Sequence, residues 1–219
     1  MRDTPKFVDR ADAGRRLAAA LGYQREKPIV LALPRGGVPV AFEIATSLRA
    51  PLDLLLVRKI GAPGQPECAI GAIVDGKDPQ RVIIDRALEL AGASLHYFEE
   101  EAARQFREIE RRRKAYFGDR EPMDLRDRNV ILVDDGIATG ATVRAGLKAL
   151  RRLGVASVTL AMPVAPEDIL EELRSEVDEV VCLFSPRDFY AVGLHYADFD
   201  QTSDGEVIDL LKRSEQVRA

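Results

Sequence analysis

Short apolar runs alternate along this chain with stretches in which apolar residues recur every three or four positions. The runs predict strands at Pro28 to Leu33, Leu52 to Val57, Ala69 to Val74, Arg81 to Ile84, Asn129 to Val133, Ser157 to Ala161 and Glu179 to Phe184. Their near-continuous apolar character suits a parallel sheet covered on both faces rather than a sheet with one wet side. Between them, Val40, Ile44 and Leu48, and then Val143, Leu147, Leu150 and Leu153, mark helical faces. Asp9 to Leu21 reads as an amphipathic helix with Leu17 and Leu21 inward and Asp9 as its cap. The longest helix spans roughly Ser94 to Phe117, with Leu95, Phe98, Ala102, Phe106 and Ile109 on one stripe. The alternation predicts an α/β fold with a doubly wound, mostly parallel sheet and helices on both faces.

Composition narrows the class. A chain of 219 residues with 46% hydrophobic and 31% charged positions is sized for one globular domain with a real core. No apolar run is long enough for a membrane span. The stretch MRDTPKFVDRADAGRRL has no apolar signal core and is too acidic for a transit peptide, so the protein reads as cytoplasmic. Two cysteines, Cys68 and Cys182, and two histidines, His96 and His195, suggest neither a disulfide framework nor a zinc centre. A net charge of −4 disfavours a broad grip on nucleic acid. The basic run Arg111, Arg112, Arg113 and Lys114 ends a helix that also carries Glu99, Glu100, Glu101, Glu108 and Glu110, so it reads as a solvated or dimer-facing end.

One stretch concentrates chemistry. In VILVDDGIATGATV, residues 130 to 143, a buried strand runs into two adjacent acids and then a Thr/Gly-rich turn that opens a helix. Ligands of doubly wound sheets bind where strands end, and helix N-termini with free N–H groups attract anions. Paired acids would repel that anion unless they serve another part of the same ligand. A sugar phosphate resolves the conflict, with hydroxyls for the acids and phosphate for the turn. The stretch is neither a Walker A loop nor a GxGxxG dinucleotide loop, and receiver domains carry their paired acids near the domain start. An Asp-Gly pair alone would be ordinary turn chemistry.

VILVDDGIATGATV resembles the signature of the type I phosphoribosyltransferases, which bind 5-phosphoribosyl 1-diphosphate (PRPP). The resemblance implies that Asp134 and Asp135 contact the ribose 2′- and 3′-hydroxyls. It places the 5′-phosphate on the turn of Ala138, Thr139, Gly140, Ala141 and Thr142. LPRGGVPVAFEIA, residues 33 to 45, is similar to the family's pyrophosphate loop, which assigns Arg35, Gly36 and Gly37 to that group. VRKIGAPGQPE, residues 57 to 67, resembles the Arg-Lys and glycine-proline pattern of the adenine enzymes. Arg58 and Lys59 would then neutralise the pyrophosphate, and the Gly/Pro-rich stretch after them would be a loop mobile enough to close over the ligand. These matches cover Pro28 to Leu153 apart from Asp78 to Arg128.

The implied reaction displaces pyrophosphate from ribose C1 by a nitrogen acceptor, most naturally a nucleobase, with Mg²⁺ held by the ligand's oxygens and water. Catalysis would fall to Arg58, Lys59, Asp134 and Asp135, with both acids on a solvent-facing loop. Ala138 stands where the 6-oxopurine enzymes carry an acid, which argues against hypoxanthine or guanine; Asp75 lies near the place of the adenine enzymes' loop carboxylate. The acceptor hood would be the part from about 183 to 219, where Phe189 and Tyr190 could stack on a flat acceptor, and where Asp198 and Asp200 could reach its edge. His195 in the same stretch reads as a hydrogen-bonded structural residue. Residues 1 to 219 form one phosphoribosyltransferase-like domain in this reading, with a helical insertion at about 87 to 120 and a homodimeric state expected. A PRPP-sensing regulator of the same fold, or a PRPP hydrolase, are the alternatives.

Overall fold

The protein is described from a computed structural model that covers residues 6–22 and 28–218. Its chain divides into two compact units. The first comprises Met1–Leu54, Leu125–Gly140 and Val155–Ala219; the second comprises Leu55–Asp124 and Ala141–Gly154.

The first unit holds a five-stranded parallel sheet of β1 (Ile29–Ala32), β2 (Leu52–Leu54), β6 (Asn129–Val133), β7 (Ser157–Val164) and β8 (Glu179–Phe184), in the order β2-β1-β6-β7-β8. Every pairing in it is parallel, with Ala32 opposite Val133 and Val133 opposite Ala161. The apolar runs explain this, because β1 and the last four residues of β6 are buried throughout. Helix α1 (Arg10–Leu21) begins where expected: Asp9 has extended backbone and its side chain accepts from the Asp12 amide at 2.6 Å. Leu17 and Leu21 face inward. Helices α2 (Gly37–Leu48), α6 (Glu167–Arg174) and α7 (Asp204–Arg218) complete the unit. The strand order reverses between β1 and β6, so the loops leaving their carboxyl ends open side by side.

The second unit is built on three antiparallel strands, β3 (Val57–Ala62), β4 (Gln65–Val74) and β5 (Gln80–Ile83), with α3 (Asp85–Leu90), α4 (Leu95–Phe117) and α5 (Ala141–Arg152). Three expectations change here. The runs at Ala69 to Val74 and Arg81 to Ile84 form this separate sheet, because the link between β4 and β5 is too short for the crossover that a parallel pair needs. The run from Leu52 to Val57 breaks after Leu54, and Val57 opens the next strand. The Gly/Pro-rich stretch after Arg58 and Lys59 is a β-hairpin turning at Pro63-Gly64, where Gly64 has φ +71°, and not a free loop.

Helix α4 is capped by Ser94, whose hydroxyl accepts from the Tyr97 amide. Phe98, Ala102 and Ile109 are its buried stripe, while Leu95 at the first helical position is 62% exposed. Phe98 seats the helix on the sheet over Gly71: a Cβ there would stand 2.5 Å from the Phe98 ring and would strike the Val82 carbonyl oxygen. Among the described residues no helix is long and apolar enough to cross a membrane.

Candidate functional site

In the first unit, β6 ends at Val133 and delivers Asp134 and Asp135 to the carboxyl edge of the sheet. Neither is a free carboxylate on a solvent-facing loop, as the sequence suggests. Asp135 pairs with Arg10 Nε at 2.8 Å, and the two side chains are 14% and 12% exposed. Arg10 also donates to the Asp200 carbonyl at 2.7 Å and lies over the Phe199 ring, 3.9 Å from its centroid. The Tyr196 hydroxyl donates to the Asp135 carbonyl oxygen at 2.6 Å. Asp134 accepts from the amide of Asp135 at 2.9 Å. Burial, reinforced by the charge of Asp135, holds the Asp134 carboxyl well above the usual carboxylate range. Burial and then the Asp135 charge push the Tyr196 phenol upward in the same way.

The turn after β1 presses against these acids. The Leu33 amide donates to the Val133 carbonyl at 2.9 Å. A Cβ on Gly37 would lie 2.8 Å from the Val133 carbonyl oxygen and 3.0 Å from the Asp134 Cα; one on Gly36 would overlap Asp135 Oδ2. Two glycines in succession therefore have a steric cause: the backbone entering α2 runs where side chains would strike the acids. Arg35, between Pro34 and the glycines, is partly exposed and sits 3.5 Å from Asp204 Oδ1. The turn from Ile137 continues with Ala138 and Thr139 exposed and Gly140 at φ +72°, a left-handed conformation that favours glycine.

The second unit carries a cavity of about 500 Å³. The hairpin wall supplies Arg58 and Lys59, α4 supplies Tyr97, Glu101, Arg104 and Gln105, and Thr142 contributes from the start of α5. The volume suits a small polar ligand. Thus Asp134, Asp135, Gly36 and Gly37 are gathered in one unit, while Arg58, Lys59 and Thr142 line one cavity in the other. Asp75, weighed as an acceptor-binding carboxylate, is 2% exposed, pairs with Arg113 at 2.6 Å and accepts from the Leu56 amide at 2.8 Å. Those bonds make it a buried structural acid.

The C-terminal aromatics serve the first unit's core. Phe189 packs against the cluster of Phe7, Ala13, Val164 and Tyr196 and stacks on His195 at 5.6 Å, whereas Tyr190 is 84% exposed. Three site residues escape the sequence reading. Arg10 meets Asp135 across 125 positions of sequence, although a cation in a helix's first turn, against the dipole, is a sign of another duty. Gln105 and Glu101 form a polar stripe with Tyr97 at four-residue steps, visible once the apolar stripe beside it is set aside. No group of three or more His, Cys, Asp or Glu side chains that could hold a metal ion occurs among the described residues.

Comparison with known proteins follows the same lines. A family profile described as phosphoribosyl transferase domain matches residues 8–196. A candidate phosphoribosyl transferase of Mycobacterium tuberculosis strain H37Rv is 48% identical over 212 residues, which cover 95% of this chain and 47% of that protein. Its counterpart in strain CDC 1551 / Oshkosh matches with the same 48% identity over 212 residues. The chain therefore spans about half the length of these curated relatives. The crystal structure of TT1426 from Thermus thermophilus superposes with a TM-score of 0.82 at 44% identity, covering 95% of this chain and 98% of that one.

Proposed function

The chain belongs to the family of phosphoribosyl transferase domains, and from that premise we propose that it transfers the 5-phosphoribosyl group of PRPP to a nitrogen acceptor, a nucleobase being the favoured class. The acceptor nitrogen forms a bond to ribose C1 as the C1–O bond to the diphosphate breaks. The bonding pair leaves with pyrophosphate, and the nitrogen sheds its proton to solvent. The observation that carries this reading is the pair Asp134 and Asp135 at the switch point of the parallel sheet, crowded by the Gly36-Gly37 backbone.

In this reading the two acids accept hydrogen bonds from the ribose 2′- and 3′-hydroxyls, and the charge of Asp135 favours the positive charge that develops on the sugar. Arg10 holds Asp135 in place for that task. The turn from Ala138 to Thr142 takes the 5′-phosphate through its N–H groups and the hydroxyls of Thr139 and Thr142. Arg35, with Arg58 and Lys59, neutralises the leaving pyrophosphate. When bound to the diphosphate, Mg²⁺ would add to that neutralisation.

The test is titration calorimetry of PRPP into the wild type and into Asp134→Asn with Asp135→Asn. Two ribose contacts weakened together, each worth about 1.5 kcal/mol, predict an affinity roughly a hundredfold weaker. Unchanged affinity would remove the ribose assignment. Pyrophosphate release that depends on an added nucleobase identifies a transferase; release without one identifies a hydrolase, and tight binding without release a sensor.

A further inference from the structure

Helix α4 lies in the stretch that has no counterpart in the resemblance, yet it forms one wall of the cavity that holds Arg58. Tyr97, Glu101 and Gln105 follow one another at four-residue steps, so they share one stripe of the helix and face the β3–β4 hairpin. The Tyr97 hydroxyl donates to the Gly61 carbonyl at 3.2 Å. Gln105 Oε1 accepts from Arg58 Nε at 2.9 Å, and Gln105 Nε2 donates to Glu101 Oε1 at 2.6 Å. Glu101 is itself 8% exposed and is held on its other oxygen by Arg104 at 2.6 Å.

The polarity of this relay is fixed by chemistry. An ionised carboxylate only accepts, so Glu101 obliges Gln105 to present its NH₂ on that side. The amide oxygen must then point the other way, towards the guanidinium. A guanidinium only donates, so Arg58 finds an acceptor at Nε and turns its remaining donors away from Gln105. Among the described residues the Arg58 side chain makes no other hydrogen bond.

We propose that Gln105, oriented by Glu101, is a positioning residue that sets the guanidinium of Arg58 for the diphosphate of PRPP, and that α4 exists in this protein partly to supply that relay. The inference rests on the reading of Arg58 as a diphosphate-binding residue. It assigns to α4 a part in the reaction that the basic end of the helix, at Arg111 to Lys114, gives no hint of.

The test uses the full chain, PRPP with Mg²⁺ and titration calorimetry, with inorganic pyrophosphate as a second probe. Gln105→Leu, which keeps the bulk and removes the acceptor, is expected to weaken both ligands about tenfold. Arg58→Ala is expected to weaken them at least as much, and Gln105→Leu added to it should cost nothing further. The exchange Glu101→Gln with Gln105→Glu rebuilds the relay with the charge moved one step, so it should restore binding to within about threefold of the wild type. Thermal unfolding of each variant separates lost orientation from lost fold; if Gln105→Leu does not fold, Gln105→Met gives the same comparison. Additive effects of Arg58→Ala and Gln105→Leu, or an exchange variant as weak as Gln105→Leu, overturn the inference while leaving PRPP binding intact. An Arg58→Ala variant that binds both ligands like the wild type overturns instead the role given to Arg58, and the inference with it.

Discussion

Two pairs of a largely buried acid and an arginine, Asp135–Arg10 in the first unit and Glu101–Arg104 in the second, are held in opposite ways. Asp135 meets Arg10 from a distant part of the chain, both side chains mostly out of water, with Phe199 under the guanidinium and Tyr196 on the acid's carbonyl. Glu101 meets Arg104 one helical turn away, and that arginine's side chain is 66% exposed. The first pair depends on the whole fold, and the second needs only its own helix. A long-range buried pair is costly to break because the surviving charge has nowhere to go, whereas a local pair with one partner in water loses little.

Arginine deletions put that contrast to the test. Arg10→Ala leaves Asp135 half-buried without its cation, and we expect a loss of about 3 kcal/mol in urea unfolding. A loss under about 1 kcal/mol would mean that Asp135 swings out to water and that the pair is not structural. Asp134→Asn should do the reverse and stabilise the fold. The folded carboxyl titrates above its unfolded value near 3.8, so folding favours the neutral form. The wild type therefore forfeits stability as pH rises from the unfolded pKa through the folded one. The advantage of Asp134→Asn should be largest at neutral pH and absent below about pH 3.8; an advantage independent of pH would point to packing instead. Arg104→Ala, the smallest effect, should cost about 0.5 kcal/mol and fade further in salt. Were it to match Arg10→Ala, the contrast between local and long-range pairs would not hold.

What the sequence disclosed follows the same division between near and far. The period of apolar residues placed β1, β6, β8, α1 and α4 to within a residue or two, because burial of each is written in its own stretch. The acids and the Gly-Gly pair stood out for the same reason: strand, turn and helix start are contiguous. The antiparallel sheet of the second unit stayed hidden because apolar runs say nothing of pairing partners, although the five residues between Val74 and Gln80 leave no room for a crossover helix. Arg10 on Asp135 and Arg113 on Asp75 were not legible, since nothing local marks which distant acid a given arginine will meet. The aromatic cluster from Phe189 to Phe199 was visible as a cluster, but only packing shows that Phe189 is committed to the core and to His195.

The two stripes of α4 also bear on how this chain can change length. Tyr97, Glu101 and Gln105 each precede by one position a residue of the apolar side, at Phe98, Ala102 and Phe106. One residue turns an α-helix by about 100°. Deleting Ala103 would bring Phe106 to the angle of Gln105 beneath the arginine, and Glu110 to the buried place of Ile109. No single-residue insertion or deletion between Tyr97 and Ile109 can keep both stripes in phase, so gains and losses of sequence in this part of the family should fall before Ser94 or beyond the end of the helix, and not inside it.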